Sequence, residues 1–208
     1  MGAAAGAWPP DQEWIRVTDS IGAPPPAPKK VGGGTKLVLG LLGALGVGGV
    51  VFLGVLEAQR ARLVPDGTTA PTMEMARHGG GTMKLEDLKG QVVMLDFWAT
   101  WCPPCREEMP ALVKLAKEYE PQGLVFVAAS RDDGDRAPKL VEAFMRNHLP
   151  ELAPYVVYAD DNVARAFQVS ALPTLYFLDR DGKVIDAQRG ALSEDGIRRR
   201  IERALKQP

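Results

Sequence analysis

The chain is poor in the residues that build metal sites and disulfide frameworks. Its 208 residues include two cysteines and two histidines, His78 and His148. A structural zinc site needs about four ligands, which would take both cysteines and both histidines, and a disulfide framework uses several bridges, so the composition favours neither. The two cysteines, Cys102 and Cys105, are only two residues apart, which favours a redox-active dithiol. We therefore expect no metal and no cofactor other than a redox-active disulfide between them.

The sequence also lacks an excess of charge of either sign. Lysine and arginine together number 25, and aspartate and glutamate together number 26, which leaves a net charge of −1 at pH 7. Proteins that bind nucleic acids present a positively charged surface to the phosphates. The composition therefore gives no support to a nucleic-acid partner, and we expect none.

Long apolar runs are absent except at residues 37–56. These twenty residues carry no charged side chain, and a helix of that length crosses the hydrocarbon core of a bilayer. We predict an uncleaved transmembrane signal anchor here, with a cleaved signal peptide as the alternative. The lysines Lys29, Lys30 and Lys36 precede the span and slightly favour a cytoplasmic N-terminus.

Both flanks of this span are rich in proline and glycine. Residues 1–36 contain six prolines and end in a glycine run, which predicts a disordered cytoplasmic tail. Residues 57–81 contain Pro65, Pro71 and three consecutive glycines, which predict a linker. Residues 82–208 remain for one folded domain.

Residues 82–208 carry the pattern of an α/β domain. The apolar runs Val92–Leu95 and Leu124–Ala129 predict buried strands, and apolar residues at helical spacing predict a helix over Pro103–Glu120 between them. A strand–helix–strand unit of this length predicts a parallel pair of strands. Two further apolar runs flank an Asp-Gly turn at Asp181–Gly182 and predict an antiparallel hairpin before a final helix.

The cysteine pair lies at the start of the first predicted helix. Unsatisfied amide groups and the helix dipole favour negative charge there, and therefore the thiolate of Cys102. Pro103 and Pro104 are tolerated in a first helical turn and stiffen it. Cys105, one turn later, is expected to be more buried and to attack a mixed disulfide formed by Cys102.

Asp96 lies six residues before Cys102 in an apolar strand. Burial would raise the pKa of its carboxyl group, which could then exchange a proton with the thiol of Cys105. The alternative is a solvated carboxylate at the end of the strand. Trp101 is expected to form a wall of the site, and Trp98 either a second wall or part of the core.

The block LDFWATWCPPCREEMP at Leu95–Pro110 resembles the TlpA/ResA-type branch of the thioredoxin superfamily, as do Val169–Leu175 and Asp179–Lys183. The resemblance extends over about residues 80–205. It implies a thioredoxin-like fold, in which a central mixed β-sheet is flanked by helices. In this chain one transmembrane helix would precede that domain.

The same resemblance implies how further residues contribute to the site. Pro173 is expected to be a cis proline that packs against the cysteine pair, and it joins the catalytic residues Cys102, Cys105 and Asp96. Leu172 resembles the apolar residue that precedes this proline in reducing thioredoxins. The residues expected to contact the substrate are Trp101, Pro103 and Leu172.

Members of this branch are commonly tethered to the outer face of the bacterial inner membrane, and many reduce disulfides, several of them in apocytochromes or copper-site proteins. We therefore expect a periplasmic protein-disulfide reductase, anchored through residues 37–56, that receives electrons from a membrane thiol donor. The alternatives are a dithiol oxidase and a copper(I)-binding or delivery protein that uses the same cysteines. A peroxidase is not expected, because Thr100 is two residues before Cys102 and the Thr-x-x-Cys arrangement is absent.

Overall fold

The computed structural model describes residues 48–50 and 63–207, and residues 63–207 form a seven-stranded sheet covered by helices. The strands lie in the order β2-β1-β5-β4-β3-β6-β7. Their bounds are β1 Glu74–Arg77, β2 Thr82–Lys84, β3 Val92–Trp98, β4 Leu124–Ser130, β5 Val156–Tyr158, β6 Thr174–Leu178 and β7 Val184–Arg189. The helices are α1 Pro103–Tyr119, α2 Ala137–His148, α3 Asp161–Ala166 and α4 Glu194–Leu205.

Strand β3 lies inside the sheet, between β4 and β6. It pairs in parallel with β4 on one side and antiparallel with β6 on the other, and all seven of its residues are buried because both faces of the sheet are covered here. Successive side chains of a strand point to opposite faces, so β3 supplies two cores. Met94 and Trp98 pack with residues of α1, α2 and α4, whereas Leu95 and Phe97 pack with residues of α3 and β6.

The predicted strand–helix–strand unit and hairpin are both confirmed. Strands β3 and β4 are parallel over their whole length with α1 between them in the chain, and β6 and β7 are antiparallel. The Asp179 carboxylate closes the hairpin by accepting hydrogen bonds from the amides of Asp181 and Lys183, at 2.9 and 2.8 Å. Gly182 has a positive φ of 78°, which glycine adopts without steric cost.

The folded domain begins earlier than the predicted boundary at residue 82. Strand β1 lies within the segment predicted as a linker, residues 57–81, and pairs with both β2 and β5. Val64, Ala70 and Met75 are buried in the core on the α3 side of the sheet. The prolines and glycines of this segment bound a four-residue strand with one buried side chain, which is too short to show an alternating pattern in the sequence.

The predicted membrane span, residues 37–56, lies outside the described residues except for residues 48–50. The predicted tail, residues 1–36, lies wholly outside them. Within the described ranges, no helix is long and apolar enough to cross a membrane.

The inclusion of β1 in the core leads to a test by mutation. Met75→Ala should lower the free energy of unfolding by about 2–4 kcal/mol, because it removes a buried side chain and leaves a cavity. Chemical denaturation of the variant and the wild type would measure the difference. Thr72→Ala, at an exposed position of the same segment, is the control and should stay within about 0.5 kcal/mol. Equal stabilities for all three proteins would show that this segment is a linker.

Candidate active site

The two cysteines form a disulfide at the N-terminus of α1. Their Cα atoms are 5.4 Å apart, and Cys102 is the N-cap residue, whose Sγ accepts a hydrogen bond from the amide of Cys105 at 3.3 Å. Both side chains are largely buried, with Cys102 4% and Cys105 1% exposed. The amide that contacts Cys102 Sγ would stabilise negative charge on that sulfur after reduction.

A groove of about 480 Å³ gives access to Cys102. The three residues predicted to contact the substrate, Trp101, Pro103 and Leu172, all line it. Trp101 is 65% exposed, so a large aromatic surface next to the sulfur is open to a partner. Arg131 is the one charged residue among the groove's lining. The groove is therefore mainly apolar, with a cation at its side.

Pro173 is buried and immediately precedes β6. The Leu172–Pro173 peptide bond is cis, as predicted. The segment is held from both sides, since the Pro173 carbonyl accepts a hydrogen bond from the amide of Gly190 at 2.9 Å and the Thr174 hydroxyl donates to the carbonyl of Ala171 at 2.7 Å. These bonds fix the part of the chain that brings Leu172 to the groove.

Asp96 is a buried carboxyl group beneath α1. It is 1% exposed, and neither of its carboxylate oxygens has a hydrogen-bond partner among the described residues. It lies between Met94 and Trp98 on the face of β3 that packs against the helix carrying Cys105. Burial raises the pKa of Asp96 well above its usual range, and the nearby Glu108 carboxylate raises it further. The expected desolvation is confirmed, and the alternative of a solvated strand end is wrong.

Trp98, by contrast, belongs to the core. It is fully buried and packs against Phe144 of α2, with 5.3 Å between the ring centroids. Of the two tryptophans considered as walls, only Trp101 lines the groove.

Glu108 is a second buried carboxyl group that the sequence interpretation missed. It is 5% exposed, and its Oε1 accepts a hydrogen bond from the amide of Leu192 at 3.1 Å. Burial raises its pKa from 4.5 to about 7, although the hydrogen bond from Leu192 acts in the opposite direction. Its position three residues after Cys105 could have indicated that it is buried, because residues three apart lie on the same face of a helix. In the charged run Arg106-Glu107-Glu108 it resembled a solvated side chain.

The comparisons with known proteins agree with this arrangement. A model of the AhpC/TSA family matches residues 67–187, which is more than half of the chain. The chain belongs to the AhpC/TSA family. Thiol-disulfide oxidoreductase ResA of Bacillus subtilis is 33% identical over 163 residues, which are 78% of this chain and 87% of that protein. Thioredoxin-like protein YneN of the same organism is 32% identical over 139 residues, 67% of this chain and 80% of that protein.

A solved structure confirms the fold. The crystal structure of a putative thiol:disulfide interchange protein DsbE from Chlorobium tepidum is 29% identical and has a TM-score of 0.61. The match covers 68% of this chain and 99% of that one. The chain is thus a thiol–disulfide oxidoreductase with a thioredoxin-like α/β fold. In residues 48–50 and 63–207, no three or more histidine, cysteine, aspartate or glutamate side chains are grouped to hold a metal ion.

The two buried carboxyl groups of the oxidoreductase should make its stability depend on pH. A carboxyl group whose pKa is raised by folding favours the folded state when protonated, so stability is lost as pH rises through the interval between the unfolded and folded pKa values. For Glu108 this interval runs from 4.5 to about 7, and for Asp96 it begins at 3.8 and extends well upward. The free energy of unfolding should therefore fall between pH 5 and pH 8.

Denaturation curves across this range would measure the fall. Glu108→Gln stays neutral and can still accept the Leu192 hydrogen bond, so it should reduce the fall by on the order of 1–2 kcal/mol. Glu107→Gln changes an exposed carboxyl group in the same helix and serves as the control. If the two variants gave the same pH profile as the wild type, Glu108 would not be buried as the structure shows.

Proposed function

We propose that the oxidoreductase reduces disulfides in client proteins on the outer side of the membrane. The observation that carries this proposal is a cysteine pair with unequal access. Cys102 adjoins an open apolar groove, whereas Cys105 lies deeper, in the core between α1 and the face of β3 that carries Asp96. One sulfur is placed to meet a client and the other to resolve the resulting mixed disulfide.

The reaction transfers two electrons in two displacement steps. The Cys102 thiolate attacks one sulfur of the client disulfide, and the other client sulfur leaves as a thiolate that takes a proton from water. Cys105 then loses its proton to the Asp96 carboxylate and attacks Cys102 Sγ, which breaks the mixed disulfide. The second client sulfur leaves as a thiolate that takes a proton from water, and Asp96 releases its proton to water. The client is left with two thiols, and the enzyme with the Cys102–Cys105 disulfide.

The surroundings of the pair favour reduction over oxidation of clients. A strong oxidant stabilises its reduced form through an unusually stable thiolate. Here Asp96 and Glu108, when ionised, place negative charge near the sulfurs and oppose a second anion. The Pro103-Pro104 dipeptide also lacks the histidine found between the cysteines of strong oxidants, and Leu172 resembles its counterpart in reducing thioredoxins.

The proposed clients are exported proteins that must carry free thiols before they bind haem or copper. The resemblance to the TlpA/ResA-type branch, several members of which act on apocytochromes or copper-site proteins, supports this class of client. The mainly apolar groove is suited to an extended, unfolded segment around a client cysteine. A donor dithiol in the membrane would return the pair to the reduced state after each turnover.

We place the catalytic domain in the periplasm, tethered to the inner membrane by residues 37–56 with the N-terminus in the cytoplasm. The uncharged twenty-residue run and the three preceding lysines support this arrangement. In alkaline-washed membranes the full-length protein should remain in the pellet, and a chain that begins at Leu63 should be released. Release of both proteins would contradict the anchor.

The division of labour between the cysteines can be tested on the full-length protein in detergent, with a peptide disulfide as substrate and a dithiol as electron donor. Cys102→Ala should abolish turnover, because the attacking sulfur is lost. Cys105→Ala should also stop turnover but accumulate a mixed disulfide with the substrate, visible by mass spectrometry.

The two variants act as controls for each other, since each retains one cysteine. Turnover by Cys102→Ala would contradict the mechanism. A mixed disulfide on Cys105 in that variant, with none on Cys102 in its counterpart, would reverse the two roles.

A further inference from the structure

A four-residue turn carries the chain from β3 to the nucleophile. Trp98 ends the strand, and the amide of Cys102 donates to the carbonyl of Ala99 at 3.1 Å. Thr100 occupies the second position of this turn. The placement of Cys102 at the helix N-terminus therefore depends on how firmly Thr100 is held.

Asp132 holds Thr100 at two points. Its Oδ2 accepts a hydrogen bond from the Thr100 amide at 3.0 Å, and its Oδ1 accepts one from the Thr100 hydroxyl. The Ser130 hydroxyl donates to Oδ2 as well, at 2.9 Å. Asp132 is 7% exposed, so these three bonds satisfy a carboxylate that would be costly to bury unpaired.

The carboxylate is itself anchored to the centre of the sheet. Asp132 follows β4, and the parallel pairing of β3 and β4 extends to their ends, where the Arg131 amide donates to the Trp98 carbonyl at 2.7 Å. The amide of Asp132 also donates to the Ser130 hydroxyl oxygen, at 3.1 Å. Thr100 is thus tied to the most buried part of the fold.

We infer that Asp132 is a positioning residue that acts through Thr100 to keep Cys102 at the helix N-terminus when the enzyme is reduced. The inference rests on the proposed function only in that the reduced state must attack clients. In the oxidised state the covalent bond to Cys105 also holds Cys102 in place. Reduction removes that bond, so the Asp132–Thr100 contact contributes more to the position of Cys102 in the reduced state.

The direction of the effect follows from this difference between states. Without the contact, Cys102 would spend less time near the amides that favour its thiolate. The pKa of Cys102 should rise, and the reduced state should become less stable relative to the disulfide. The equilibrium with glutathione should then shift toward the oxidised enzyme.

Thr100→Val tests the contact without changing charge, because it replaces the hydroxyl group by a methyl group of similar size. Thr100→Ser restores the hydroxyl group and is the rescue variant. Tyr119→Phe is the control for the loss of a hydroxyl group, since the Tyr119 hydroxyl donates to Glu202 at the far end of α1. That position is about 25 Å along the helix from Cys102.

Two measurements on the full-length protein in detergent test whether the Asp132–Thr100 contact positions Cys102. The pH dependence of iodoacetamide alkylation, in a Cys105→Ala background, reports the pKa of Cys102. The equilibrium constant with glutathione, measured with both cysteines present, reports the relative stability of the reduced state. We expect Thr100→Val to raise the pKa by about 0.5–1 unit and to favour the disulfide by about three- to tenfold. Thr100→Ser should lie near the wild type.

Results for Thr100→Val that match Tyr119→Phe in both measurements would overturn the inference, whatever its effect on stability. An effect that Thr100→Ser does not reverse would also overturn it, because the hydroxyl group would then not be the cause. These outcomes are separate from the proposed function. A wild-type enzyme without reductase activity would contradict that function. The difference in Cys102 pKa between the wild type and Thr100→Val would still test the role of Asp132.

Discussion

The site depends on how α1 lies on the buried strand β3. The strand is buried on both faces, and it passes through a short turn into the helix whose first turn carries the cysteines. Because both elements are fixed in the core, Cys102 is held at the helix N-terminus and has little freedom to move. The same packing places the residues beneath the helix, including Asp96, out of contact with water. The reactivity of the sulfurs is therefore set by the fold and not by the cysteines alone.

Two opposing electrostatic effects meet at the cysteine pair. The helix N-terminus stabilises negative charge on Cys102, whereas the buried carboxyl groups of Asp96 and Glu108 resist further negative charge nearby. Burial raises the pKa of Glu108 to about 7, so its protonation changes in the neutral range. In our account, the balance of these effects makes the outer thiol a nucleophile without making the pair a strong oxidant.

The sequence predicted those parts of the fold that leave a local pattern. Strands β3 and β4 are continuous apolar runs, the helix between them has apolar residues at helical spacing, and an Asp-Gly turn marks the hairpin of β6 and β7. The cis bond before Pro173 was expected from resemblance only, since a turn proline has no local signature of its isomer.

The features that were missed depend on contacts between distant parts of the chain. Strand β1 is stabilised by β2 and β5, although its own segment reads as a linker. Glu108 is buried beside Leu192, 84 residues later, whose amide donates a hydrogen bond to it. Thr100 and Asp132 are 32 residues apart and meet because β3 and β4 are neighbours in register. Single-sequence patterns do not contain such pairings.

The central claim, that this dithiol is a reductant, is tested most directly by the reduction potential of the Cys102–Cys105 pair. The potential can be obtained by equilibrating the enzyme with glutathione redox buffers and quantifying the free thiols. Our account predicts a value close to that of thioredoxin, about −270 mV. A value near −120 mV, typical of a strong disulfide oxidant, would contradict it and would show that the helix N-terminus outweighs the buried carboxyl groups.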